Sequence, residues 1–148
     1  MFFGEYPHQI DPKNRCIVPA KFRGALGERF ILTKGFHKCL NIFTIGDWEK
    51  FLTKIIIPMS DESGQRFNRL FFSSVYECEQ DGNGRVLIPA GLREYAGLDR
   101  DIVSIGVINR IEIWDKEEWK KYCADTDAVD NPSFIDGEMR EKLNLLGI

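Results

Sequence analysis

Two short stretches of the chain hold an acid and two guanidinium groups at matching positions. "DPKNRCIVPAKFR" runs from Asp11 to Arg23, and "DGNGRVLIPAGLR" from Asp81 to Arg93. Each reads Asp-x-x-x-Arg, then a short apolar run ended by Pro, then a second Arg. Two chemistries fit. An Asp–Arg pair can tie a turn to a strand, with Arg23 or Arg93 as a second partner. Alternatively, guanidinium groups projected from a rigid sheet suit recognition of phosphates and guanine edges. Asp11 and Asp81 suit the first role, because a carboxylate repels phosphate unless it orients an arginine. For Arg15 and Arg85 both roles stay open. The residue before each Arg is Asn14 or Gly84, types that tolerate the positive φ of a tight turn.

Charge distinguishes the copies. Lys13, Arg15, Lys21 and Arg23 against Asp11 make the first net +3, while Arg85 and Arg93 against Asp81 make the second net +1. Asp115, Glu117, Glu118, Asp125, Asp127 and Asp130 gather acid toward the other end. The total of −3 argues against a general nucleic-acid coat, yet leaves room for one basic face.

The elements that must position these residues repeat as well. Asp11/Asp81, Arg15/Arg85, Pro19/Pro89, Arg23/Arg93 and Gly27/Gly97 share an offset of 70, extending upstream to Tyr6/Tyr76 and Phe2/Phe72. Downstream the offset reads 71, as in Gly35/Gly106, Leu40/Ile111, Ile42/Ile113 and Trp48/Trp119. Two copies are too few for a solenoid; a single body with a pseudo-twofold axis and a shared core is the economical arrangement. In each copy "CIVP" or "VLIP" reads as a strand ended by Pro. A short helix opens at that Pro and closes at Gly27 or Gly97. "RFILT" and "DIVSI" are the next strands, with Gly35 and Gly106 near hairpin turns. "CLNIF" and "RIEIW" alternate as half-buried strands. "GDWEKFLTKI" and "DKEEWKKYCA" are helical, the second with Asp115 and Glu118 spaced as a capping box. Pro58 ends the first of these helices. A connector helix follows, with Phe67, Leu70 and Phe71 packed inward. "DTDAVDNPS" is an acidic linker, and a last helix starts near Asp136 with Met139, Leu143 and Leu146 on one side.

The 148 residues, 43% hydrophobic and 29% charged, suit a soluble globular protein. No apolar run spans a bilayer and no signal-peptide core opens the chain, so a cytoplasmic location is expected. Cys16, Cys39, Cys78 and Cys123 form no C-x-x-C pair, and His8 and His37 read as surface or turn residues, so neither metal nor other cofactor is expected. Cys16 reads as a small buried hydrophobe. No nucleophile, phosphate-loop or metalloprotease motif occurs, and no small-molecule substrate is evident. Catalytic residues are not expected.

The opening "MFFGEY", "DPKNRCIVPAKFR" and "DGNGRVLIPAGLREYAGL" together resemble the MraZ transcriptional regulators of bacteria, over nearly the whole chain. The resemblance implies an α+β fold: a swapped-hairpin AbrB-like β-barrel built from two pseudo-twofold repeats, flanked by helices. The corresponding organisation is a SpoVT-AbrB-type unit over 5–47, a helical connector over 48–74, a second unit over 75–118 and C-terminal helices over 119–148. It also implies ring-like homo-oligomers in the nucleoid that bind double-stranded DNA at direct repeats upstream of the division and cell-wall operon. Arg15, Lys13, Lys21, Arg23, Arg85 and Arg93 are then the candidate DNA-binding residues, with Asp11, Asp81, Asn14 and Gly84 shaping the turns. Whether Arg85 and Arg93 contact DNA or only stabilise the second unit stays open. An antitoxin-like protein-interaction module is the alternative. Asn14 stands where the family usually has Gly, and Asn83-Gly84 where Gln-Gly is common.

Overall fold

The computed structural model describes residues 1–55, 61–124 and 134–147. They divide into two compact units, Met1–Lys116 and Glu117–Ile148.

In the first unit the strands are β1 (Phe2–Gln9), β2 (Arg15–Ile17), β3 (Arg29–Lys34), β4 (Leu40–Thr44), β5 (Tyr76–Glu79), β6 (Arg85–Leu87), β7 (Asp101–Ile108) and β8 (Ile111–Asp115). The helices there are α1 (Ala20–Leu26), α2 (Ile45–Ile55), α3 (Glu62–Phe72) and α4 (Ala90–Ala96). α5 (Lys116–Ala124) begins at the end of this unit, and α6 (Gly137–Leu145) lies in the second.

The eight strands make one six-stranded antiparallel sheet, in the order β1-β7-β8-β4-β3-β5, and a separate antiparallel pair, β2-β6. The order is a palindrome of the repeat. β1 and β5, β7 and β3, and β8 and β4 are equivalent strands of the two copies. Every copy therefore finds its neighbours in the other: β1 pairs with β7, β5 with β3, β4 with β8 and β2 with β6. Only the β3-β4 and β7-β8 hairpins are internal to one copy. Within the described residues the sheet does not close: β1 and β5 are its edges.

The core follows the same rule. Cys16 and Val86, Val18 and Ile88, Phe22 and Leu92, Leu26 and Ala96, Phe30 and Ile102, and Leu40 and Ile111 are all buried in one cluster. At roughly 25 cal/mol per Å² of apolar surface removed from water, neither half keeps its stabilisation without the other. Phe22 also takes the edges of Phe2 and Tyr6, with ring centroids 5.3 and 5.1 Å away. α1 and α4 start at Pro19 (φ −49°) and Pro89 (φ −58°), whose fixed backbone suits a helix start. Both end at glycines with positive φ, Gly27 (80°) and Gly97 (60°).

Two expectations need correction, the repeat offset around Gly106 and the placing of His8. Ladder pairing equates Phe30 with Ile102, an offset of 72, and Ile42 with Ile113, an offset of 71. Two residues are thus added before β7 and one is lost in the following hairpin. Gly106 is consequently inside β7, opposite Gly4, and not at a turn; the turn falls at Asn109 and Arg110. His8 lies in β1, half-buried, with Nε2 2.7 Å from Ser104 Oγ, so it is not a surface or turn residue. At the end of β8, Asp115 Oδ1 accepts from the Asp99 amide at 3.1 Å, a bond that adds to its place at the start of α5.

In the connector, Asp61 caps α3 by accepting from Gly64 N at 2.7 Å. Phe71 is buried and stacks on Phe67 at 5.4 Å, but Leu70 points outward, so the inward stripe is narrower than its spacing suggests. In the second unit Asp136 caps α6 through Met139 N at 2.7 Å, while Met139 and Leu146 are exposed. The expected stop at Pro58 and the linker 125–133 lie outside the described residues.

Candidate nucleic-acid interface

Each Asp-x-x-x-Arg phrase builds the same closed turn. Asp11 Oδ1 accepts from the Lys13 and Arg15 amides, each at 2.9 Å, and Asp11 N donates to Arg15 O at 2.8 Å. Asp81 Oδ1 accepts from the Asn83 and Arg85 amides at 2.8 and 2.9 Å, and Asp81 N donates to Arg85 O at 3.0 Å. Closing so tight a loop needs one left-handed residue, supplied by Asn14 (φ 63°) and Gly84 (φ 73°).

The second carboxylate oxygen holds the arginine. Arg15 Nε donates to Asp11 Oδ2 at 2.8 Å, and Arg85 Nε to Asp81 Oδ2 at 2.7 Å. The Arg15 amide, the Lys13 amide and the Arg15 guanidinium hold the Asp11 carboxyl below its ordinary pKa; the Arg85 and Asn83 amides do the same for Asp81. Both acids therefore stay ionised at neutral pH. With Nε committed, the two Nη groups of each arginine take no partner among the described residues. A guanidinium clamped by its Nε presents its outer Nη pair as a fork, the geometry that meets a phosphate or the O6/N7 edge of guanine.

The β2-β6 ladder sets the two forks diagonally across one face. Cys16 pairs with Val86 at the pseudo-twofold centre, both buried. Arg15 lies opposite Leu87, and Ile17 opposite Arg85. Strand alternation turns these four side chains to the other face, where Ile17 is 48% and Leu87 59% exposed. Burial pushes the Cys16 thiol up to about 12, so it stays a neutral packing group beneath the arginines.

The remaining predicted residues divide by location. Lys13 stands in the first turn and Lys21 on α1, both exposed. Arg23 and Arg93 do not pair with the aspartates. Arg23 Nε donates to Val18 O at 2.9 Å and Arg93 Nε to Ile88 O at 3.1 Å, since both sit one helical turn past the proline, above those carbonyls. Arg23 also lies across the turn of the other copy: a Cβ built on Gly84 would come within 2.6 Å of Arg23 Cζ. Arg93 and Asn14 line a cleft of about 210 Å³ together with Asp11 and Asp99. Reciprocal backbone bonds lock the two turns together, Val18 N to Gly84 O at 2.8 Å and Ile88 N to Asn14 O at 2.9 Å.

Sequence reasoning missed Gln80, whose Nε2 donates to Gly27 O at 2.9 Å and so holds the end of α1 from the other copy. No local signal marks it, because its partner is fixed only by cross-copy pairing. It also passed over Ile17 and Leu87, which are legible as the i+2 neighbours of Arg15 and Arg85.

Taken together, these features define an internally duplicated α+β protein in which two halves of one chain form a pseudo-twofold body with a paired-arginine ladder. The family model described as "MraZ protein, putative antitoxin-like" matches it twice, over residues 1–70 and 71–141. The chain is 47% identical over its whole length, and all of the relative's, to "Transcriptional regulator MraZ" of Clostridium beijerinckii. It is 44% identical to the protein of that name from Acetivibrio thermocellus, again with full coverage of both. Against that of Carboxydothermus hydrogenoformans it is 48% identical, covering 87% of this chain and 91% of the relative. The chain belongs to the MraZ family.

Proposed function

We propose that the protein is a sequence-specific regulator of transcription that binds double-stranded DNA through the β2-β6 ladder. The supporting observation is the pair of outward arginines, one per copy, each clamped at Nε with its Nη fork taking no partner among the described residues. In this reading Arg15 and Arg85 read base edges. Lys13 and Lys21 neutralise flanking phosphates, making the first copy the stronger contact. Arg23 and Arg93 brace the turns, and Asp11 and Asp81 orient the forks. A two-stranded ribbon is narrow enough to enter a major groove about 12 Å wide.

Cross-copy pairing of every strand supports a swapped-hairpin, AbrB-like body, with units at 5–47 and 75–118, a connector at 48–74 and C-terminal helices from 119. One ladder supplies few charges, so affinity comes from several subunits of a ring-like homo-oligomer bound to direct repeats, as the family resemblance implies. Joining sites raises avidity by about 10²–10⁴. The site would then lie upstream of the division and cell-wall operon, and the protein in the cytoplasm at the nucleoid.

A second reading, an antitoxin-like protein-interaction module, draws on the family description and on an apolar groove of about 460 Å³ beside the exposed Phe36 and Leu70. A gel shift of the purified protein on its own upstream region, against shuffled DNA, separates the two. The regulator retards the native fragment selectively, and loses it steeply as salt rises. Equal retardation of both, or none, favours the second reading.

A further inference from the structure

We infer that Ile17 and Leu87 are specificity contacts that pack against thymine methyl groups next to the bases read by Arg15 and Arg85. This rests on the DNA-binding reading above and adds to it a partner for the apolar half of the ladder. Ile17 and Leu87 are large aliphatic side chains left 48% and 59% exposed at the centre of a cationic face. If that face met only water, a polar β-former such as Thr would hold the strand equally well. Both copies instead carry an aliphatic residue at this position.

The register argues for the occupant. Arg15 sits opposite Leu87 and Arg85 opposite Ile17, so each guanidinium fork has one aliphatic neighbour across the ladder. Directly opposed side chains lie about 5 Å apart, and successive base pairs about 3.4 Å, so such a couple spans adjacent base pairs. The four residues cover roughly 7 by 5 Å, from the strand rise and spacing, which fits inside the major groove. The groove offers a matching surface: guanine O6 and N7 accept from the forks, and the thymine C5 methyl is the apolar group beside them. A protein surface with two anions flanking an apolar spot would match the charge equally, but would be indifferent to a base methyl.

The test uses the full-length protein, its own upstream duplex, and the same duplex with every thymine replaced by uracil, which keeps base pairing and removes only the methyls. Binding is read by fluorescence anisotropy, with shuffled DNA as the baseline. Burying a methyl contributes about fourfold in affinity. Wild-type protein should therefore bind uracil DNA about fifteenfold more weakly for two contacts. The Ile17→Ala, Leu87→Ala variant should bind thymine DNA more weakly, with a thymine-to-uracil ratio near one. Ile17→Thr with Leu87→Thr keeps strand propensity and should also lower the ratio, its shorter methyl retaining part of the contact, which guards against a disturbed ladder. Equal wild-type affinity for thymine and uracil DNA overturns the inference, as does a ratio unchanged in the variants, while leaving the regulator reading standing. Binding to neither duplex above the shuffled baseline removes both.

Discussion

Gly84→Ala should be the most damaging single methyl that can be added to the two Asp-x-x-x-Arg turns. Two costs combine. Gly84 has φ +73°, where an L side chain costs about 1–2 kcal/mol. The new Cβ would also meet the Arg23 guanidinium, 2.6 Å from Cζ and 3.0 Å from Cδ. Arg23 must swing away and give up its 2.9 Å bond to Val18 O, a charge-assisted bond of about 1.5–3 kcal/mol. Water recovers part of that, so the net loss should be about 2–4 kcal/mol. Urea unfolding measures it: with m about 2 kcal/mol/M, the midpoint should fall by about 1–2 M at constant m. Because the second cost runs through Arg23, Gly84→Ala combined with Arg23→Ala should lose at least about 1 kcal/mol less than the sum of the single changes. A loss below 1 kcal/mol, or strict additivity, would refute the packing of Arg23 over the opposite turn. Asn14→Gly is the control: Asn14 already carries a Cβ at φ 63° and lines a cleft with Arg93, so the change should stay within about 1 kcal/mol.

The other predictions follow from the same geometry. Gly106→Ala would bring its Cβ to 2.5 Å from Phe2 C and 2.7 Å from Phe3 Cα, so β1 must shift off β7, at about 1–3 kcal/mol, with faster amide exchange along β1 as the readout. The lowered carboxyl pKa of Asp11 and Asp81 stabilises the fold above the ordinary carboxylate value of 3.8, and this contribution is lost as pH falls through the depressed folded values; Asp11→Asn with Asp81→Asn should flatten that acid limb in a stability-versus-pH series. A fragment of residues 1–58 should give no cooperative monomeric melt, because β1, β2 and β4 lose their cross-copy partners and half the core goes with them.

Much of this was readable in the chain. The Asp, Arg and Pro at an offset of 70 carried the turn, the strand and the helix start, because those features depend on residues within ten positions of one another. Asn14 and Gly84 announced the left-handed turn residue, and Cys16 its burial. The chain did not reveal which copy each strand joins. Pairing across about seventy residues leaves no local trace, so the palindromic sheet, Gln80 at the end of α1, and Arg23 over Gly84 all emerged only from the structure. Of the two roles open to Arg23, second partner of an aspartate or contact with DNA, the first is not taken: helix geometry places its Nε above Val18 O. Gly106 was expected at a turn because glycines mark turns, yet here it admits the close approach of β1.

If the two clamped arginines bind DNA, a salt titration of Arg15→Ala reveals it. Affinity for the native upstream duplex is measured by anisotropy across a salt series, for the wild type and for Arg15→Ala, with folding and assembly checked by circular dichroism and sedimentation. A lost bidentate base contact costs about 1–3 kcal/mol on native DNA and narrows the margin over shuffled DNA, while a lost phosphate contact lowers the salt slope by about one unit. Base-edge reading by the forks gives the first result, with Arg85→Ala behaving alike and the Arg15→Ala, Arg85→Ala protein falling to shuffled-DNA affinity. An Arg15→Ala, Arg85→Ala protein that is folded, assembled and still selects the native duplex with wild-type affinity and slope would contradict it.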